Sequence, residues 1–197
     1  MRLGFLASHG GSNMQAILDA CAIGSIKAIP ALLVCNNRTA GAIERSQKAN
    51  MPFAVLNGKT HPDEDALDQA ILNSLKDAQV ELVVLAGYMK KIGPRVLKAY
   101  HNRILNIHPA LLPKFGGQGM YGMNVHKAVI AAKETKSGAT VHLIDEVYDE
   151  GPILQQVEVP VLPEDTPEIL QARVLTQEHF LYPDTIAKIA SGEIKLP

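Results

Sequence analysis

Two polar side chains close an otherwise apolar run, Arg103-Ile104-Leu105-Asn106-Ile107-His108-Pro109. Read as a strand, the run has period two, which puts Asn106 and His108 on one face. A lone strand-end histidine is usually a hydrogen-bonded structural residue. An amide donor beside an imidazole instead suits a carbonyl that turns into an oxyanion. Asp149 is the candidate third member. It lies in a segment with four acids in six residues, Asp145 to Glu150, and composition does not say which of them points inward. The chain shows no nucleophile-elbow serine and no activated cysteine, so these groups suggest direct acyl-type transfer without a covalent enzyme intermediate.

A second constellation is Ala7-Ser8-His9-Gly10-Gly11-Ser12-Asn13, where a first strand hands over to a first helix. Free backbone N–H groups at such a turn face an anion, and glycine lets it approach closely. Ser12 and Asn13 add a hydroxyl and an amide as donors to phosphate. The spacing matches neither GxGxxG nor the P-loop, because no lysine follows the glycines.

These residues need a scaffold, and the chain alternates short apolar runs with helical spacings. Strands are expected at Leu3–Ala7, within Ala28–Cys35, and at Phe53–Leu56, Leu82–Leu85 and Arg103–Ile107. Between them lie helices after Asn13, over Thr39–Asn50, from Pro62 with Leu67, Ile71, Leu75 and Ala78 on one face, and before Tyr100. Crossovers of this length argue for a parallel sheet. The Pro- and Gly-rich stretch Pro109–Gly122 reads as a functional loop. A helix over Val125–Lys133 follows, then two strands, Thr140–Ile144 and Ile153–Val161, as an antiparallel extension. Thr166-Pro167 opens a final helix over Ile169–Ile189. The expectation is one α/β domain over 1–197, with a mostly parallel central sheet flanked by helices.

The 197 residues are 47% hydrophobic and 20% charged, which excludes wholesale disorder. Nineteen basic against twenty acidic residues leave a net charge of −1, so no overall basic field invites nucleic acid or an anionic membrane. Cys21 and Cys35 lack CxxC spacing and read as buried, inert thiols, with no metal implied. The first residues lack a signal-peptide pattern, and no apolar run approaches the roughly 20 residues of a membrane span. A cytoplasmic protein is expected.

In order and spacing, Ser8 to Asn13, Leu85-Ala86-Gly87-Tyr88-Met89, Asn106-Ile107-His108-Pro109-Ala110-Leu111-Leu112-Pro113, Val141 to Pro152 and Gln177-Glu178-His179 resemble the phosphoribosylglycinamide formyltransferases over essentially the whole chain. The resemblance implies a Rossmann-like formyltransferase fold, with a phosphate-binding half over 1–100 and a catalytic and folate half over 101–197. It implies formyl transfer from the co-substrate 10-formyltetrahydrofolate to the amine of 5′-phosphoribosylglycinamide, in purine biosynthesis, without a metal. Asn106, His108 and Asp149 match the catalytic trio, with Asn106 and a protonated His108 donating to the oxyanion. Gly11, Ser12, Asn13 and Glu178 match the ribonucleotide site. Met89, Lys90, Lys91, Ile92, Asn106, Ile144, Asp145 and Glu146 match the folate site, and His142 a support for the Asp149 loop.

The chain departs from the family pattern at His9, where glycine is usual, at Glu64 and Lys90, where arginine is common, at Lys91, where an apolar residue is common, and at Ala110, where serine is frequent. Rival readings are 10-formyltetrahydrofolate deformylase, which uses water as acceptor and usually carries an extra N-terminal domain; methionyl-tRNA formyltransferase, which needs a further C-terminal domain and a basic face; and a non-catalytic nucleotide-binding module. The partners expected are the two small molecules alone, with the chain a monomer or homodimer.

Overall fold

The structure, a computed structural model, describes residues 1–145 and 149–197. Its elements run β1 (Arg2–Ala7), α1 (Ser12–Ala22), β2 (Ile29–Cys35), α2 (Gly41–Lys48), β3 (Phe53–Val55), α3 (Glu64–Asp77), β4 (Leu82–Leu85), α4 (Pro94–Ala99), β5 (Ile104–His108), α5 (Met123–Ala131), β6 (Lys136–Leu143), β7 (Ile153–Pro160) and α6 (Pro167–Ser191). The strands form one sheet in the order β3-β2-β1-β4-β5-β6-β7. β1 to β5 pair in parallel, and β6 and β7 are antiparallel additions.

Strand periodicity splits the core between the two faces of the sheet. Leu3, Phe5 and Ala7 of β1, with Leu82 and Val84 of β4, pack against α1, α2, α5 and α6. Leu6, Val83 and Leu85 point the other way, against Ile71, Leu72 and Leu75 of α3 and Val96 of α4. Each such large side chain contributes about 1.5–3 kcal/mol by leaving water. Gly4 lets α3 come close, since a Cβ there would lie 2.8 Å from Leu75 and Val80.

Most boundaries shift by one or two residues from the sequence reading, and two differences have a specific cause. Pro62 precedes α3 rather than sitting in its first turn. Asp63 is the N-cap, its carboxylate accepting from the Ala66 N–H at 2.7 Å. β6 begins at Lys136 instead of Thr140. A Cβ at Gly138 would strike the Val157 carbonyl, so glycine there serves close pairing of β6 with β7. Cys35 is buried as expected, whereas Cys21 is only half-buried. Burial still pushes the Cys21 thiol up to about 11.

α6 is capped by the Thr166 hydroxyl and ends at Gly192 in the left-handed conformation. The phenol of its buried Tyr182 lies 2.9 Å from the Leu105 carbonyl and 3.1 Å from that of Leu85. This contact ties α6 to β4 and β5. No described helix is long and apolar enough to cross a membrane.

Strand order reverses direction between β1 and β4, and open α/β sheets bind ligands in the crevice outside such a switch point. Both exits meet there. The Ser8 N–H donates to the Gly87 carbonyl at 3.0 Å, and the Ser8 hydroxyl accepts from the Met89 N–H at 2.8 Å.

Candidate active site

β5 ends with Asn106 opposite His142 and His108 opposite Thr140 in the antiparallel register with β6. This register assembles the polar cluster. His142 is fully buried, and its Nδ1 lies 3.0 Å from the Leu143 carbonyl, which identifies Nδ1 as the protonated nitrogen. Nε2 is then an acceptor, and the Asn106 amide donates to it at 3.2 Å. Burial holds the His142 pKa below the usual imidazole value despite the nearby Asp149 carboxylate. A neutral ring thus fixes which way the Asn106 amide faces, with its second N–H left over.

Asp149 lies between two histidines. Its Oδ2 is 3.5 Å from His108 Nδ1, and its Oδ1 is 3.5 Å from His142 Nε2. Oδ2 also accepts from the Gly117 N–H at 2.9 Å. His108 is 3% exposed, so its neighbours decide what it can do. Its Nε2 donates to the Phe115 carbonyl at 2.7 Å. Both ring nitrogens therefore face acceptor oxygens, Nε2 at hydrogen-bond distance and Nδ1 farther off. The sequence reading has His108 donating to an oxyanion; in this structure its Nε2 N–H is engaged by the Phe115 carbonyl and its Nδ1 faces Asp149.

The loop that supplies Phe115 and Gly117 is lashed to the sheet by residues the sequence reading missed. The Thr140 hydroxyl donates to the Ala110 carbonyl at 2.6 Å and accepts from the Leu112 N–H at 3.1 Å. The Gln156 amide reaches Thr140 at 2.8 Å and the Leu112 carbonyl at 2.9 Å. Their only sequence signal is the strand register, which puts Thr140 beside Gln156 and opposite His108. Beyond Asp149, Gly151 lies so close to the Leu143 carbonyl that any Cβ would collide with it, which gives the Gly-Pro pair its packing reason. A cleft of about 400 Å³ opens here, lined by Leu112, Pro113, Gly116, Gly117, Asp149 and Gly151 among others.

At the first turn, Gly11 caps α1 in the left-handed conformation (φ 68°), so the helix starts at Ser12. The expected reason for glycine is revised. A Cβ on Gly11 would meet Ala42 of α2 at 2.9 Å rather than an approaching anion, whereas the space beside Gly10 is open. Asn13 is half-buried, and its amide donates to the Glu178 carboxylate at 2.6 Å, so that side chain is already engaged. Glu178, buried on α6, has its pKa raised by burial, with the Asn13 bond opposing. No side chain caps the backbone N–H groups at the start of α1, the kind of donors a helix N-terminus offers to an anion.

On the far side of the switch point, Met89, Lys90 and Lys91 are exposed. The Ile92 side chain is buried in the α3–α4 core and does not line an open pocket. Ile144 packs partly on that same cluster, Asp145 is exposed, and Glu146 lies outside the described residues. No group of acids, histidines and cysteines suited to a metal occurs among the described residues.

A formyl transferase family model matches residues 1–186. The chain is 41% identical over 195 residues to the chloroplastic phosphoribosylglycinamide formyltransferase of Arabidopsis thaliana, covering 98% of this chain and 67% of that one. It is 37% identical to the phosphoribosylglycinamide formyltransferase of Haemophilus influenzae, covering 99% of this chain and 90% of that one. The crystal structure of glycinamide ribonucleotide transformylase 1 from Symbiobacterium toebii superposes with a TM-score of 0.93 at 38% identity, covering 100% and 91% of the two chains. The chain belongs to the phosphoribosylglycinamide formyltransferase family. Its fold is the formyltransferase fold, as the sequence resemblance implied, with the polar cluster at the β5–β6 junction and the glycine turn both at the carboxyl side of the parallel strands.

Proposed function

We propose that the chain transfers the formyl group of 10-formyltetrahydrofolate to the amine of 5′-phosphoribosylglycinamide. The observation that carries this reading is the Asp149 carboxylate facing His108 Nδ1, with Asn106 oriented through the neutral His142 beside it. The neutral amine attacks the formyl carbon, a C–N bond forms, and negative charge gathers on the formyl oxygen. The free N–H of Asn106 donates to that oxygen. His108 exchanges the Phe115 carbonyl for it, so that a charged donor appears as charge develops. The bond from carbon to the folate nitrogen then breaks. The attacking nitrogen, cationic once bonded to carbon, loses a proton that passes by way of Asp149 and water to that leaving nitrogen.

The sugar phosphate is held by the backbone N–H groups of Gly11, Ser12 and Asn13, and the ribose by Glu178, which Asn13 orients. The folate lies along Met89, Lys90, Lys91 and the Ile92 backbone on one side and Ile144 and Asp145 on the other. Lys90 and Lys91 meet its terminal carboxylates. Acceptor and donor sites thus lie on opposite sides of the Ser8 bridge between β1 and β4.

The test is turnover of 10-formyltetrahydrofolate with and without phosphoribosylglycinamide. Formyl loss should depend on the ribonucleotide and yield its N-formyl product. Equal formate release without it would overturn the reading in favour of hydrolysis.

A further inference from the structure

We propose that Arg45 supplies the fixed positive charge of the sugar-phosphate site and makes that site select for a phosphorylated acceptor. The inference rests on the acceptor reading above. Arg45 lies on α2, and its guanidinium reaches across to the glycine turn. Nε donates to the Gly10 carbonyl at 2.8 Å, and Nη1 donates to the Gln15 side chain at 3.1 Å. Those two anchors flank the first turn of α1, whose N–H groups no side chain caps. The α2 backbone is clamped to the same turn by the Ala42 N–H, which donates to the His9 carbonyl at 3.1 Å. The guanidinium is thereby held in place.

Arg45 forms no ion pair with a described residue, whereas Arg95 and Arg173 each pair with an aspartate. Its Nη2 donates to no described residue. A half-buried cation with no carboxylate partner, beside backbone donors already aimed at an anion, is completed by a dianionic phosphate. The neighbouring His179 supports this placement. Its Nε2 is buried without a partner among the described residues, and its pKa is lowered by burial and by the Arg45 charge. This side of the turn therefore already carries positive potential. Backbone N–H groups alone would accept any small anion with weak dependence on its charge. A fixed guanidinium adds preference for the doubly charged phosphate and steepens the salt dependence.

The experiment compares wild type, Arg45→Gln and Arg45→Lys in two measurements. One is calorimetric binding of ribose 5-phosphate at two ionic strengths. The other is kcat/KM for phosphoribosylglycinamide against its phosphate-free riboside. Arg45→Gln should weaken ribose 5-phosphate binding about 10- to 100-fold, the worth of one hydrogen bond to a charged group. It should flatten the salt dependence and penalise the riboside far less than the ribonucleotide. Arg45→Lys, which keeps the charge but not the two-point brace, should retain most of the salt dependence. Equal losses for riboside and ribonucleotide, or a lysine variant as weak as the glutamine one, would mean that Arg45 only braces the turn and would overturn the proposal. If wild type binds ribose 5-phosphate but does not formylate the ribonucleotide, the acceptor reading fails while the anion site stands. Absence of binding to wild type would sink both.

Discussion

The Nε2 of His108 is 2.7 Å from the carbonyl oxygen of Phe115, so the central imidazole is tied to the loop after β5 as well as to Asp149. Phe115 adopts φ +56°, a conformation that costs a non-glycine residue about 1 kcal/mol or more. The loop is held in it by the Thr140 and Gln156 bonds. The state of the loop and the state of the imidazole are therefore coupled. In the proposed reaction the substrate oxygen would compete with a backbone carbonyl for one N–H.

Removing the charged members should abolish chemistry and spare acceptor binding. His108→Ala and Asp149→Asn are each expected to lower kcat by about 10²–10⁴-fold, the range for an oxyanion donor or a proton-transfer group. Binding of ribose 5-phosphate, titrated calorimetrically, should change little, because the glycine turn is built by other elements. A variant with wild-type kcat would take that residue out of the mechanism.

In the proposed mechanism His142 acts through Asn106. Replacing it with leucine removes the acceptor that orients the amide and is expected to cost about 10- to 100-fold in kcat, as small misplacements do. His142→Gln keeps an acceptor oxygen and should recover much of the loss. Protonation of His142 turns Nε2 from acceptor to donor, so kcat should also fall on the acid side, below the usual histidine pKa. That limb should be absent from the glutamine variant's pH–rate profile.

Stability should fall as the solution is acidified through the histidine range. His126 is 2% exposed, and burial, with the nearby His108, pushes it down to about 4. The unfolded chain takes up this proton near 6.5 and the native chain only near 4. Stability is therefore full above the unfolded value and declines between about 6.5 and 4. A depression of this size is worth about 3 kcal/mol. His142 and His179 have the same sign, whereas Glu178, raised by burial, has the opposite one at lower pH. Urea denaturation at pH 7.5 and 4.5 should show the decline, and His126→Gln should remove part of it.

The two glycines of the turn should separate folding from anion binding. Gly11→Ala forces a Cβ against Ala42 in a left-handed backbone, at an expected cost of about 1–2 kcal/mol in denaturant-monitored stability. Gly10→Ala meets nothing within 4 Å and should leave stability nearly unchanged. The reverse order of midpoints would refute the packing role assigned to Gly11.

The alternation of apolar runs with helical spacings determined the α/β architecture, because strand and helix periods are local properties of the chain. β4 has the boundaries the sequence predicts, α4 ends before Tyr100 as expected, and Thr166-Pro167 opens α6. The Asn106–His108 pair was legible for the same reason, since period two puts the residues on one face whatever lies opposite. Asp149 was singled out by resemblance to a family, not by its composition among four acids. Tertiary structure alone decided what those side chains touch. The β5–β6 register makes His142 the partner of Asn106, and the loop fold brings Phe115 to His108. Packing of α1 on α6 engages Asn13 with Glu178, and the approach of α2 to the glycine turn gives Gly11 its neighbour. These contacts join residues between 7 and 165 positions apart. A one-dimensional pattern fixes the face on which a side chain lies, but its hydrogen-bond partner depends on strands and loops that the pattern does not bring together.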